Sequence, residues 1–168
     1  MKLIRNLILL LTVLVNVGCD QISKNIVRRH ISYDENISVV RHHFTLTNVE
    51  NKGAFLSLGN DLPSPFREIL LVVFPIIALL TGLIFIFLKR DLSPLFRLGA
   101  CCVIGGGIGN IIDRAFRGSV TDFLHLKFGM LQTGIFNMAD VSIMLGTFLV
   151  MYSFYLERTP TSKVSSRH

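Results

Sequence analysis

Four aspartates stand where a carboxylate is costly. Asp20, Asp113, Asp122 and Asp140 lie in or beside apolar runs of a 168-residue chain. At membrane depth such a group costs about 3 kcal/mol on insertion scales, so it is a functional suspect by default. Asp122 is embedded in Val120-Thr121-Asp122-Phe123-Leu124-His125-Leu126, without the glycine, proline or asparagine neighbours of a turn-capping aspartate. Asp140 follows Asn137 by three residues at the start of an apolar run. That spacing suits a capping-box-like pair, with Asn137 at the N-cap and Asp140 at N3. Asp20 and Lys24 are four apart and can pair on one helical face. Asp113-Arg114 reads as a helix terminus with an interfacial ion pair.

Asp122 and Asp140 together suggest acid/base hydrolysis with an activated water. Two carboxylates about 3 Å apart cannot both ionise cheaply, so a dyad shares one proton. The apolar setting of Asp122 favours its neutral form, and Asp140 in a first helical turn complements the positive end of the helix dipole. One acid would deprotonate water while the other polarises a scissile carbonyl, and the roles could exchange when substrate binds. No serine or cysteine nucleophile stands beside a base. No Cys/His spacing suggests zinc, and no lysine-serine/threonine follows the glycines at P-loop spacing.

The elements that must position these acids are membrane spans. Hydrophobic residues make up 51% of the chain and charged ones 17%, against about 25% charged in an ordinary soluble domain; mean hydropathy is +0.56. These values exclude intrinsic disorder and most soluble folds. Spanning helices of about 20 residues are expected at about 7–24, 69–88, 98–112 and 136–156. The third is short and rich in glycine (105, 106, 107 and 109), which allows close approach of another helix or of a substrate. Residues 1–158 read as one integral membrane domain, and 159–168 as a polar cytoplasmic tail. Lys2, Arg5, Lys89, Arg90, Arg97 and Arg158 flank one side of the spans, which puts both termini in the cytoplasm. The net charge of +6 then serves topology and anionic headgroups, with no nucleic-acid partner expected.

The N-terminus mimics a lipoprotein signal peptide ending at Gly18-Cys19, but Asn16 occupies the position where a large aliphatic residue belongs. A retained first helix is the better reading. Cys19, Cys101 and Cys102 are expected to be reduced and structural. Between the first two spans, residues of about 30–67 read as a small extracytoplasmic platform. Within it, Val39–Val49 alternates like a half-buried strand, Asn51-Lys52-Gly53-Ala54-Phe55 reads as a turn, and Pro63 and Pro65 precede a helix start near Phe66 and Glu68.

Five blocks follow one another in order: Asp20-x-x-x-Lys24, Asn51-x-Gly53-Ala54, Gly105-Gly106-x-x-Gly109-Asn110-x-x-Asp113-Arg114, Val120-x-Asp122-Phe123 and Phe136-Asn137-x-Ala139-Asp140. From about residue 15 to 145 the chain resembles the lipoprotein signal peptidases (signal peptidase II), bacterial four-helix membrane aspartyl proteases. The resemblance implies an all-α membrane protein with four transmembrane helices and a β-containing extracytoplasmic platform. It implies Asp122 and Asp140 as the catalytic dyad, Asn51, Gly53, Asn110, Arg114 and Asn137 lining or supporting the site, and Asp20 and Lys24 as a structural pair. It further implies a diacylglyceryl-modified prolipoprotein as substrate, cut just before the lipidated cysteine, no metal or organic cofactor, sensitivity to globomycin, and a site near the outer face of the bacterial inner membrane. One departure is visible. The family's alanine-aromatic run after Asn-x-Gly-Ala is replaced by Phe55-Leu56, which makes side-chain contacts with the lipid substrate there less transferable.

Two other classes compete on the residues alone. A proton-coupled transporter would use Asp122 or Asp140 as a relay, but inverted repeats and broken midplane helices are not evident. A structural membrane subunit would use the same acids only as caps.

Overall fold

The computed structural model describes residues 2–158 apart from 34, 41, 42, 55–57, 60, 61 and 90. The Phe55-Leu56 departure and the tail at 159–168 lie outside the described residues.

Four helical segments are long and apolar enough to cross a membrane: Leu3–His30, Ser64–Leu88, Pro94–Arg117 and Met138–Arg158. All four expected spans are present, and each reaches beyond its expected bounds on at least one side. The first belongs to α1 (Lys2–His30), which runs on through the polar stretch after Asp20. The second opens with α2 (Ser64–Glu68), carrying Pro65 in its first turn, passes through a π-helical turn over Ile69–Val73 and continues as α3 (Phe74–Leu88). Pro75 at the start of α3 cannot donate a backbone hydrogen bond, and the widened turn immediately precedes it. The third, α4 (Pro94–Arg117), is capped by Ser93, whose hydroxyl accepts from Phe96 N at 3.2 Å. The fourth is α5 (Met138–Arg158).

Beside its apolar core clusters the packing buries several ionisable and amide groups, while many large apolar side chains face outward. Leu7, Leu11, Ile84 and Phe148 are exposed, whereas Asp20, Lys24, Asp113 and Asn137 are buried. Lipid solvates the outer faces, so the protein interior is the place where ionisable groups find partners. α4 is central and packs against α1, α3 and α5. Its glycines serve helix packing. A Cβ on Gly106 would strike the carbonyl oxygen of Ala139 on α5, and one on Gly109 would stand 2.5 Å from Asp20 Oδ2 on α1.

The platform is a four-stranded antiparallel sheet in the order β1-β2-β3-β4, with β1 at Asn36–Val40, β2 at Phe44–Asn51, β3 at Val120–Phe128 and β4 at Leu131–Gln132. The expected single strand at 39–49 is therefore parts of two strands. The platform also extends past 30–67, because its second half comes from the connection between α4 and α5. Thus Asp122 and the apolar run around it lie on strand β3. A backbone clasp ties β3 to the entry of α5: Phe123 N and Leu124 N both donate to Phe136 O (3.0 and 2.8 Å), and Phe136 N returns to Leu124 O at 2.9 Å. This clasp brings β3 and the first turn of α5 together.

Candidate active site

The site forms where the sheet meets the ends of α1 and α4 and the start of α5. On α5, Asn137 and Asp140 build the expected reciprocal cap. Asp140 N donates to Asn137 Oδ1 at 3.0 Å, and Asn137 N donates to Asp140 Oδ2 at 3.1 Å. Two backbone donors at this helix end, those of Asn137 and Asp140, are thereby satisfied by side chains.

On β3, Asp122 pairs with Val49 across the strands while Val120 pairs with Asn51. Asn51 is thus the diagonal neighbour of Asp122 on one face, within reach of a side-chain bond. Its Nδ2 donates to Asp122 Oδ2 at 3.0 Å, and its Oδ1 accepts from Gly53 N at 2.9 Å. The register shift between Leu46 and Val49 lies just ahead of this pairing, and such bulges commonly re-aim a side chain.

One asparagine joins the two acids. Asn137 Nδ2 donates to Asp122 Oδ1 at 2.7 Å and to Asn110 Oδ1 at 3.2 Å, while Asn110 Nδ2 donates to Asp140 Oδ1 at 2.9 Å. Asp122 is 4% exposed. Burial pushes its carboxyl up to about 6; the hydrogen bonds from Asn51 and Asn137 oppose that, the Asp140 charge adds to it, and Lys24 opposes it. A carboxyl with that value can hold a proton near neutral pH and give it to a reacting oxygen.

Arg114 reaches from α4 to the turn after β2, where its NH2 donates to Gly53 O at 2.8 Å. The structure therefore brings together Asn51, Gly53, Asn110, Arg114, Asn137, Asp122 and Asp140. Arg114 also lines a cleft of about 510 Å³ with Lys52, Arg67, Leu71 and Val72.

Asp113 overturns the reading of a terminal ion pair with Arg114. It is buried inside α4, which continues to Arg117. Its carboxylate meets Lys24 at 2.9 Å and Arg28 at 2.8 Å, because its helical position turns it towards α1. Asp20 and Lys24 do pair, at 2.8 Å. Asp20 Oδ1 also accepts from Ala139 N at 2.9 Å, so α1 holds the first turn of α5.

Sequence reasoning missed three residues here. Arg28 Nε donates to Thr121 Oγ1 at 2.7 Å, and Thr121 Oγ1 donates to Glu50 Oε1 at 2.7 Å. Arg28 had a legible signal, since Lys24 and Arg28 repeat the four-residue step from Asp20 on one helical face. Glu50 and Thr121 had none, because only the β2–β3 register makes them neighbours. Among the described residues, no group of three or more His, Cys, Asp and Glu could hold a metal ion.

Two carboxylates joined through asparagine amides thus stand at one end of a bundle of four helices long and apolar enough to cross a membrane. The sequence matches the family described as signal peptidase (SPase) II over residues 12–156. It is 33% identical over 156 residues to a lipoprotein signal peptidase of Borrelia hermsii, covering 89% of this chain and 91% of that one. It is 37% identical over 143 residues to that of Maridesulfovibrio salexigens, covering 84% and 90%. The fold is that of a bacterial membrane enzyme solved by the in meso method at 2.3 Å resolution, with a TM-score of 0.79, 23% identity and coverage of 95% and 93%. The chain belongs to the signal peptidase II family and is a multi-pass membrane protease. Membership favours this reading over a transporter or a structural subunit.

Proposed function

We propose that this chain removes signal peptides from diacylglyceryl-modified prolipoproteins, using Asp122 and Asp140 as its catalytic pair and cutting before the lipidated cysteine. The observation that carries the residue assignment is Asn137, which bonds Asp122 while capping Asp140. Family membership supports the prolipoprotein substrate.

In the mechanism, neutral Asp122 donates its proton to the scissile carbonyl oxygen while Asp140 takes one from the attacking water. The new C–O bond gives a tetrahedral diol. Its collapse breaks the C–N bond, with the proton on Asp140 passing to the leaving amine and a hydroxyl proton returning to Asp122. Each cycle consumes one water and restores both acids. The amides of Asn51, Asn110 and Asn137 hold the pair without competing as acids or bases at neutral pH.

Topology supports a site on the extracytoplasmic face of a bacterial inner membrane. Ser93 at the start of α4 meets Ser153 near the end of α5, at 2.6 Å, so the Lys89 and Arg97 flanks lie at the end opposite the dyad. Placing the basic end in the cytoplasm puts both termini there and the dyad outside. Membrane lipids surround the exposed apolar helix faces. Burial of the substrate's acyl chains, worth about 0.8 kcal/mol per CH₂, supplies selectivity for the lipidated form.

The test is incubation of the purified protein with lipidated and unlipidated prolipoprotein, with and without globomycin. Cleavage confined to the lipidated form and blocked by globomycin is expected. Equal cleavage of both forms would remove the lipid from the recognition; no cleavage of either would end the proposal.

A further inference from the structure

Lys24 is more deeply engaged than an ion-pair partner of Asp20 needs to be. It is fully buried, and its ammonium meets three oxygens: Asp20 Oδ2 at 2.8 Å, Asp113 Oδ2 at 2.9 Å and Asn110 Oδ1 at 2.9 Å. A lysine ammonium has three N–H donors and no acceptor. The two carboxylates pair with it as ions, Asp113 Oδ2 without hydrogen-bond geometry, while the neutral amide of Asn110 takes a hydrogen bond. Arg28 also pairs with Asp113, so two cations face two buried anions. The charges balance, and removing the amide contact would leave that balance unchanged.

The amide contact has a geometric consequence. Only an acceptor can face Lys24, so the Asn110 oxygen must point at it. The same oxygen accepts from Asn137 Nδ2. The Asn110 NH₂ is then committed to the opposite side, where it donates to Asp140 Oδ1 at 2.9 Å. A flipped amide would place NH₂ against two donors and an oxygen against a carboxylate. It would lose all three bonds.

We propose that Lys24 is a positioning residue for the hydrolysis: by holding the Asn110 carbonyl oxygen it keeps the amide donor on Asp140 and, through Asn137, fixes Asp140 relative to Asp122. It touches neither the substrate nor the reacting water. Asp20 and Asp113 hold the ammonium in place, and Gly109 permits the approach of Asp20, whose Oδ2 lies where a Cβ would otherwise stand. This inference rests on Asp122 and Asp140 being the catalytic pair.

The experiment is a double-mutant cycle between Lys24 and Asn110 in the full-length membrane protein, read as kcat and KM for lipidated prolipoprotein. Lys24→Met is made with Asp20→Asn so that the buried charge stays balanced, and Asp20→Asn alone serves as its reference. Loss of Lys24 should lower kcat by up to about 100-fold, the scale of a misplacement of reacting groups by about 1 Å, with KM changed less than about twofold because substrate contacts remain. In an Asn110→Ala background the same loss should add little, since the shared contact is already gone. Multiplicative effects, or a change confined to KM, would overturn the proposal. Full activity of the charge-balanced variant would do so too, and its failure to fold would assign Lys24 to stability alone. Asp122→Asn and Asp140→Asn run beside the cycle. If either still cleaves, the dyad assignment fails; if both are inactive and the cycle is multiplicative, only the role of Lys24 fails.

Discussion

Asn137 and Asp140 cap each other across the first turn of α5, with bonds of 3.0 and 3.1 Å between each backbone N–H and the other's side-chain oxygen. The exchange orders the helix start and leaves Asn137 Nδ2 free to bond Asp122 and Asn110. A structural device and a site-building device thus share one residue. Asn137→Ala should destabilise the protein by about 1 kcal/mol, the usual loss for a cap, and reduce cleavage. Asn137→Ser keeps a capping oxygen but cannot bond both Asp122 and Asn110. It should recover thermal stability in detergent without recovering the cleavage rate. Parallel recovery of both would separate the cap from the bridge only in name and count against the bridge.

Asp122→Asn and Asp140→Asn should each lower cleavage of lipidated prolipoprotein by about 10²- to 10⁴-fold, the usual contribution of a positioned acid or base. Both variants should still insert in the membrane, since each keeps the size of the side chain. Processing that survives in either would falsify the dyad.

The free enzyme should lose kcat/KM as pH rises through about 6. Burial raises the Asp122 carboxyl to that value, and the proposed reaction needs its proton, which is present below pH 6 and lost above it. Asn51 stabilises the ionised form through its 3.0 Å bond. Asn51→Ala therefore disfavours ionisation and should move the falling limb to higher pH, whatever it does to the maximal rate. A limb that moves to lower pH would show that another group titrates.

Gly109→Ala should be costly because the new Cβ would meet Asp20 Oδ2 at 2.5 Å and Cγ at 3.0 Å. Overpacking of this kind costs about 1–3 kcal/mol, and moving Asp20 disturbs the group that holds Lys24. Both melting temperature and cleavage should fall. Gly18→Ala is the control, since nothing lies within 4 Å of its added Cβ. Inside α1 it should be neutral or stabilising by up to about 1 kcal/mol.

The sequence by itself determined the solvent, the four spans and the capping pair. Few charges among long apolar runs set the first two, because a helix in lipid satisfies its own backbone and needs only apolar side chains. Asn137 and Asp140 were legible because a cap is a contact between residues three apart. The five ordered blocks also made the family legible. Only the tertiary structure decided that Asp122 lies on a strand, that this strand pairs with β2 so that Asn51 reaches it, and that the Leu124–Phe136 clasp sets it beside α5. It also turned Asp113 from a neighbour of Arg114 into a partner of Lys24 and Arg28. Local spacing records the contacts a helix makes with itself. Contacts between β2 and β3, or between α1 and α4, depend on register and helix rotation, which emerge only when all the elements pack together.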